Sequence, residues 1–204
     1  MKVIIIAGFL GAGKTTVLLQ LAAYLTANSA QTGRPLVILE NEISENGVDN
    51  KLLASRGFQV TNIFSGCICC SSSGQLCEDV LRIEREYSPQ WLIIEATGLA
   101  YPDTIKNRIE DNLHLLPGVL VIADAKRWKK TMIGMRQFIE SQLLAASAVI
   151  VSKTDLVSPE WREQVISELQ SLTGERVPVC PINATEQQSA DFWHRLMESL
   201  MGGQ

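Results

Sequence analysis

The chain has no excess of positive charge and very little histidine. Lys and Arg number 18 against 22 Asp and Glu, which gives a formal net charge of -4. A protein with this charge has no global field that attracts nucleic acid or an anionic membrane, so neither is an expected partner. Its two histidines, His114 and His194, lie in a predicted loop and a predicted terminal helix, and both are expected at the surface.

The chain also lacks a long apolar run. The N-terminal run, residues 3–7, is followed by a glycine-rich segment with Lys14, where a signal peptide would stay hydrophobic. No run approaches the roughly 20 residues that a membrane-spanning helix needs. We therefore expect a cytoplasmic protein that carries no export signal and does not enter a membrane.

What the chain does have is enough apolar sequence for one core. Its 204 residues are 46% hydrophobic, and a single domain over residues 1–204 is the default for this length. Short apolar runs alternate with longer segments of helical spacing; these runs are residues 3–6, 36–39, 91–94, 119–122 and 148–151. Because continuous apolar strands are covered on both faces, the pattern predicts an α/β fold with three layers, a mostly parallel central sheet between helices.

The segment 160–172 shows the helical pattern most clearly. Ser158 stands where it can cap the helix, and Pro159 falls in the first turn. Segments 16–25 and 192–200 are predicted as amphipathic helices as well.

Residues 8–15 match the phosphate-binding pattern G-x-x-x-x-G-K-[ST], and they have the required apolar run before them and helical segment after them. In such a loop, backbone N–H groups and the helix N-terminus bind phosphate oxygens, Lys14 adds positive charge, and the Thr15 hydroxyl ligates Mg²⁺. The fold is therefore expected to be that of a P-loop NTPase. The nucleotide-binding residues predicted in this loop are Gly11, Ala12, Gly13, Lys14, Thr15 and Thr16.

Residues 152–155 follow an apolar run and look like the guanine-reading motif N-K-x-D. The Asp155 carboxylate would accept hydrogen bonds from the two donors of guanine, whereas adenine would leave that carboxylate unpaired, and the Lys153 stem would pack along the base. Ser152 stands where the motif has Asn, which puts one base contact or one loop-bracing bond in doubt. The remaining residues assigned to the nucleotide are Gly98, Asn183 and Ala184.

Two further segments are candidates for the catalytic site. Glu95 ends the run 91–94, where a carboxylate can face Mg²⁺ directly or through water, and the Gly98 N–H can approach a γ-phosphate. Segment 41–49 carries three carboxylates after the second predicted strand, where a P-loop GTPase has its first switch. The predicted catalytic residues are Lys14, Thr15, Glu42 and Glu95, with Thr15 and Glu95 also as Mg²⁺ ligands.

Three of the five cysteines, Cys67, Cys69 and Cys70, fall within one short loop. In a reducing compartment such clustering favours metal or redox chemistry, and their thiolates suit Zn²⁺, Co²⁺, Ni²⁺ or Cu⁺. Three sulfurs do not complete a tetrahedral site, so the fourth ligand could be a carboxylate of residues 42–45, Cys77, water or a partner's side chain. Cys180 lies in an apolar run and is expected in the core.

In chain order these motifs resemble the CobW/HypB/UreG group of metal-handling GTPases, most closely its CobW-like branch. The matching stretches are residues 8–16, 41–49, 66–70, 95–100 with Pro102, 121–125 and 152–155, and the C-x-C-C loop is specific to the branch. The resemblance implies a slow GTPase in which GTP or GDP and Mg²⁺ organise Cys67, Cys69 and Cys70 for a transition metal, with Zn²⁺, Co²⁺ or Ni²⁺ as candidates. Its partners would be a client metalloprotein or a separate accessory subunit, and a homodimer is a possible assembly.

Typical CobW-like proteins continue into a C-terminal domain and often carry a His-rich tract, which the present sequence does not show. The expectation is thus a GTPase domain with no C-terminal CobW-type domain. An alternative function is a GTP-dependent switch that docks on and remodels or reactivates a partner such as a corrinoid protein, with the Cys loop structural or redox-sensing. A third, an ATPase with an iron-sulfur cluster, is disfavoured because the P-loop lacks the extra leading Lys of that class and residues 152–155 point to guanine.

Overall fold

A computed structural model of the chain describes residues 1–29, 36–40, 59–62, 73–183 and 186–202. The strands are β1 Lys2–Gly8, β2 Leu36–Glu40, β3 Gln59–Asn62, β4 Trp91–Glu95, β5 Gly118–Asp124, β6 Ala148–Ser152 and β7 Val179–Pro181. The helices are α1 Lys14–Ser29, α2 Ser73–Tyr87, α3 Pro102–Leu113, α4 Trp128–Leu144, α5 Pro159–Thr173 and α6 Ala190–Met201, and Thr154–Leu156 forms a 3₁₀ turn.

The strands form one sheet in the order β3-β2-β4-β1-β5-β6-β7. All of its described pairings are parallel. Strand β1 lies in the centre between β4 and β5, so the loop that follows β1 emerges at the middle of the sheet's carboxyl edge. In an open parallel sheet, this edge is where ligands bind.

Helices cover both faces of the sheet, as the sequence predicts. One core joins one set of strand side chains to α2, α3, α4 and α5. The other core joins the alternate set to α1 and α6. Within β1, Val3 and Ile5 face the first core and Ile4 and Ile6 face the second. The three-layer α/β fold is therefore confirmed.

All five strands predicted from apolar runs are present, and the structure adds β3 and β7 at the two edges of the sheet. Neither was predicted. Strand β3 is the largely polar segment Gln59–Asn62, and β7 is three residues long and ends at Pro181. Edge strands pair on one side only, so they do not need the apolar run that marks a central strand.

The predicted helices are also present. In α5 the Ser158 side chain accepts a hydrogen bond from the Trp161 N–H, and Pro159 occupies the first turn, as expected for an N-cap. His114 and His194 are both exposed. Cys180 is half-buried against the core formed with α1 and α6, as its apolar run predicts.

Within the described part of the chain, every helix is too short or too polar to cross a bilayer. This agrees with the absence of a long apolar run in the sequence.

Candidate functional site

The loop between β1 and α1 has the backbone conformation that its glycines allow. Gly11 and Gly13 adopt φ angles of 73° and 94°, a left-handed region that a side chain disfavours. The Lys14 side chain folds back over the loop, and its Nζ donates to the Gly8 carbonyl at 3.2 Å. Lys14 is 7% exposed, so its charge lies inside the loop that is expected to surround phosphate.

The Thr15 hydroxyl lies beside the carboxylate of Glu95. Its Oγ1 donates to Glu95 Oε1 at 3.3 Å. Parallel pairing of β1 with β4 produces this contact, because Ile6 stands opposite Glu95 and the two strand ends lie side by side. The two residues predicted to bind magnesium are therefore adjacent in the structure. Their hydroxyl and carboxylate groups are hard oxygen donors, which Mg²⁺ prefers.

Gly98 lies directly against the phosphate-binding loop. A Cβ built on Gly98 would come within 2.7 Å of the Leu10 backbone nitrogen, so a larger residue would force one of the two segments to move. The segment after β4 and the N-terminal half of the loop therefore touch at a predicted phosphate-contact position.

Ser152, which replaces the Asn of the guanine-reading motif, is fully buried. Its Oγ lies 2.6 Å from the Ala12 carbonyl oxygen and 3.2 Å from that of Ala123, and either can accept its proton. The bond to Ala12 joins β6 to the phosphate-binding loop across 140 residues of sequence. Ser152 thus retains a loop-bracing bond, and its side chain is fully buried.

Lys153 makes the second connection to the loop. Its Nζ donates to the Gly11 carbonyl at 2.5 Å and to Asp124 Oδ2 at 2.6 Å. Lys153 has a φ of 57°, and this left-handed conformation directs the chain into the 3₁₀ turn that carries Asp155. The stem of Lys153 is thereby anchored at both a loop carbonyl and a buried carboxylate.

Asp155 is exposed at the carboxyl edge of the sheet, where its carboxylate is accessible to a ligand. The neighbouring Thr154 hydroxyl donates to the Ile182 carbonyl at 2.8 Å, which ties the turn to the end of β7. Asn183 comes next in the chain, and its side chain donates to Glu186 Oε1 at 2.8 Å. The predicted base-side residues Ser152, Lys153, Asp155 and Asn183 are therefore brought to one edge, and Thr16 is exposed in the first turn of α1.

Asp124, the last residue of β5, was not assigned to the site from the sequence. Asp124 Oδ1 accepts from the Arg127 backbone N–H at 3.1 Å, but α4 begins one residue later and its N-cap position makes no side-chain cap. The larger contact of Asp124 is its ion pair with Lys153, made by a carboxylate that is 7% exposed. The available signal was its place at the end of a predicted central strand, the same signal that identified Glu95.

Several predicted residues lie outside the described part of the chain: Glu42, Cys67, Cys69, Cys70 and Ala184. Cys77, considered as a fourth metal ligand, is buried in α2, and its Sγ donates to the Arg108 carbonyl at 3.6 Å. Burial raises the pKa of the Cys77 thiol, with the nearby Arg108 acting in the opposite direction. A neutral buried thiol is a poor metal ligand, which disfavours that role. The described residues contain no group of three or more His, Cys, Asp or Glu that could hold a metal ion.

A central strand that leads through a glycine-rich loop into a helix, with Lys14 and Thr15 at the helix start, defines a P-loop nucleotide-binding protein. The chain belongs to the CobW/HypB/UreG family of P-loop GTPases, whose nucleotide-binding domain matches residues 2–179.

Two curated relatives are zinc chaperones of Escherichia coli. The chain is 32% identical to zinc chaperone YjiA over 166 residues, covering 76% of this chain and 49% of YjiA. It is 30% identical to zinc chaperone YeiR over 176 residues, covering 84% of this chain and 52% of YeiR. The chain therefore spans about half the length of these relatives.

Solved structures agree with the fold. Zn(II)-bound YjiA from E. coli matches with a TM-score of 0.58 and 29% identity, over 94% of this chain and 62% of that one. HypB from Helicobacter pylori in complex with nickel matches with a TM-score of 0.67 over 100% of this chain and 88% of that one. At 20% identity, the likeness to HypB concerns the fold alone.

Proposed function

We propose that this chain binds and slowly hydrolyses GTP and uses its nucleotide state to control transition-metal binding at Cys67, Cys69 and Cys70, as a metallochaperone or an accessory protein of a metalloenzyme. GTP or GDP and Mg²⁺ are the ligands of the loop 8–15, and Zn²⁺ is the first candidate metal because two relatives are zinc chaperones. A client metalloprotein receives the metal.

The observation that carries the nucleotide assignment is the double connection between the base-reading segment and the phosphate loop. Ser152 and Lys153 bond to the carbonyls of Ala12 and Gly11, so the two segments that would hold the two ends of a nucleotide form one unit. With the loop held from this side, its N–H groups can face phosphate and Asp155 can face a base, without either segment having to find the other during binding.

The residues present suit Mg²⁺, because Thr15 and Glu95 offer it two oxygen ligands. When bound, it would neutralise phosphate charge. Thr15 and Glu95 would hold it, and Lys14 would donate to phosphate oxygens. Glu95 or Glu42 would orient the attacking water. Glu95 accepts a hydrogen bond from Thr15, and it would accept one from the attacking water in the same way.

Calorimetry with Mg-GTP and Mg-ATP tests the base assignment. We expect GTP to bind at least about tenfold more tightly than ATP, a difference of about 1.4 kcal/mol. Asp155→Asn should reverse the preference in favour of xanthosine triphosphate, because the amide donates where the carboxylate accepted. Glu160→Gln, a change at an exposed carboxylate in the next helix, is the control and should bind GTP as the wild type does. Equal affinity for GTP and ATP would contradict the proposal.

A metal titration tests the chaperone assignment. The Mg-GTP-loaded protein should bind Zn²⁺, Co²⁺ or Ni²⁺ tightly and in defined stoichiometry, and a triple Cys67, Cys69 and Cys70→Ser variant should not. Cys77→Ser serves as the matched control. The Cys77 thiol is buried and bonded to the Arg108 carbonyl, so this substitution should leave metal binding unchanged. If the triple variant binds metal as well as the wild type, the metallochaperone role is excluded.

A second candidate is a GTP-dependent switch that docks on and remodels a partner such as a corrinoid protein. Two apolar side chains, Leu10 within the phosphate loop and Leu99 after β4, are 62% and 61% exposed, and a docking partner could cover them. The same titration separates the two functions, since this candidate requires no metal at the Cys loop.

A further inference from the structure

Arg127, in the turn between β5 and α4, places its guanidinium against the phosphate-binding loop. A Cβ built on Gly11 would lie 3.0 Å from Arg127 Nη1. The Arg127 side chain is still 58% exposed. Its backbone N–H donates to Asp124 Oδ1 at 3.1 Å, a bond that holds the turn.

The guanidinium of Arg127 lies near the Asp124 carboxylate but makes no hydrogen bond with it. Arg127 Nε lies 3.9 Å from Asp124 Oδ2, beyond hydrogen-bond distance, whereas Lys153 Nζ lies 2.6 Å from the same oxygen. One buried carboxylate thus faces two cations, and the closer contact belongs to Lys153. Among the described residues, the five N–H donors of this guanidinium have no hydrogen-bond acceptor, so they remain available to an anionic ligand.

The start of α4 carries more positive charge than its own stability favours. Lys126, Arg127, Lys129 and Lys130 flank Trp128, and all four are exposed. Positive charge at a helix N-terminus opposes the helix dipole, which prefers acidic residues there. Of these four side chains, Arg127 is the one whose guanidinium lies against Gly11, so a ligand contact accounts for its position better than helix stability does.

We propose that Arg127 is a further nucleotide-binding residue, which donates hydrogen bonds to a phosphate oxygen of the bound guanine nucleotide. The inference rests on the proposed function, because it requires a nucleotide in loop 8–15. The position of Gly11 indicates which part of the nucleotide Arg127 would contact. The Gly11 carbonyl is bound by Lys153 on the base side. The backbone N–H groups from Gly11 onward are those that would bind phosphate, so Arg127 would lie near the phosphates. Phosphate is also the group that a planar, permanently charged guanidinium binds best.

Calorimetric affinities of GDP and guanosine, the second by competition, test the proposal on the wild type, Arg127→Gln, Arg127→Lys and the control Lys130→Gln. Lys130→Gln removes an equal charge from the same cluster, one helical turn away. We expect Arg127→Gln to weaken GDP binding about tenfold, Arg127→Lys to fall between it and the wild type, and Lys130→Gln to stay within about twofold. Guanosine affinity should be unchanged in all variants, because guanosine has no phosphate. Thermal unfolding without nucleotide checks that each variant is folded.

Three results would overturn the inference: GDP binding unchanged in Arg127→Gln, an equal loss in Lys130→Gln that indicates only the general field, or an equal loss for guanosine that indicates a base or ribose contact. Failure of the proposed function would look different. In that case the wild type itself would bind neither GDP nor GTP, whereas failure of the Arg127 inference alone leaves wild-type binding intact.

Discussion

The two sides of the phosphate-binding loop are built differently. On the base side, Ser152 and Lys153 reach loop carbonyls at 2.6 and 2.5 Å, and Asp124 pairs with Lys153 at 2.6 Å. On the β4 side, Thr15 meets Glu95 at 3.3 Å, and the chain beyond it exposes Leu99. The first side is therefore joined to the loop by shorter hydrogen bonds than the second.

Two buried carboxylates of the molecule differ in how many hydrogen bonds they accept. Asp124 accepts hydrogen bonds at both oxygens, one from Arg127 and one from Lys153. Asp79, in α2, pairs one oxygen with Arg82, and its Oδ2 has no hydrogen-bond partner among the described residues. Among the described residues, Asp124 is therefore the better satisfied of the two buried carboxylates.

The largest expected effect is that of Asp124→Asn, which removes the charge that anchors Lys153. Because Asp124 is 7% exposed and Lys153 is 27% exposed, the pair is only partly screened, and its loss should lower the free energy of unfolding by about 2 kcal/mol. Urea unfolding at pH 7 measures this change. Asp111→Asn, at an exposed carboxylate in α3, should stay within about 0.5 kcal/mol. If the two substitutions lowered the free energy of unfolding equally, the ion pair of Asp124 with Lys153 would contribute no more than an exposed carboxylate does.

Ser152→Ala should lower the free energy of unfolding by about 1 to 2 kcal/mol, because it removes a buried donor and leaves the Ala12 carbonyl without this bond. GTP affinity should also fall, since the phosphate loop loses a brace. The matched control is Ser171→Ala, where an exposed hydroxyl bonds one turn back along α5. If the two serine variants unfold at the same urea concentration, the bond between Ser152 and the loop makes no measurable contribution to the free energy of unfolding.

Gly98→Ala tests the β4 side and should act on binding more than on stability. A Cβ would press on the Leu10 backbone, and the expected cost is about 1 kcal/mol, or roughly fivefold, in GTP affinity. GDP affinity should change less, because the proposed contact of Gly98 is with the γ-phosphate. Gly134→Ala, where a Cβ meets nothing within 4 Å, should leave both affinities unchanged. A larger loss for GDP than for GTP would place Gly98 elsewhere in the site.

The smallest expected effect, and the one of opposite sign, is that of Asp79→Asn. Burial raises the pKa of the Asp79 carboxyl, Arg82 lowers it and Glu78 raises it further, so the folded protein holds this proton more tightly than the unfolded chain does. The protonated Asp79 carboxyl therefore contributes to the free energy of unfolding. This contribution is fully present at a pH below the pKa of Asp79 in the unfolded chain, and it is lost as the pH rises through the pKa of Asp79 in the folded protein.

At pH 7 the Asp79→Asn variant should therefore be as stable as the wild type or more stable by less than about 0.5 kcal/mol, after the loss of the partly exposed Arg82 pair. Its advantage should shrink as the pH is lowered towards 4. Urea unfolding at the two pH values measures this, with Glu78→Gln, at an exposed neighbour, as control. A clear destabilisation at pH 7 would mean that Asp79 is as well satisfied as Asp124.

Much of the fold could be predicted because central parallel strands are buried on both faces and need continuous apolar runs. β3 and β7 escaped prediction because edge strands carry no such requirement: β3 reads Gln-Val-Thr-Asn, and β7 is three residues long. The site was predictable where its chemistry lies within a few adjacent residues, as for Lys14 and Thr15. It was not predictable where two distant strand ends meet, as for Asp124 and Lys153.

By itself, the sequence determined the phosphate-binding loop, because its backbone conformation and its donor groups depend on residues that are neighbours in the chain. Only the tertiary structure decided that Ser152 bonds to the Ala12 carbonyl of the loop, and that Arg127 lies over Gly11. These outcomes depend on the order β4-β1-β5-β6, which brings the carboxyl ends of non-consecutive strands together around one loop. The spacing of residues along the chain does not predict which strands become neighbours, because the packing of both cores against the sheet sets the strand order.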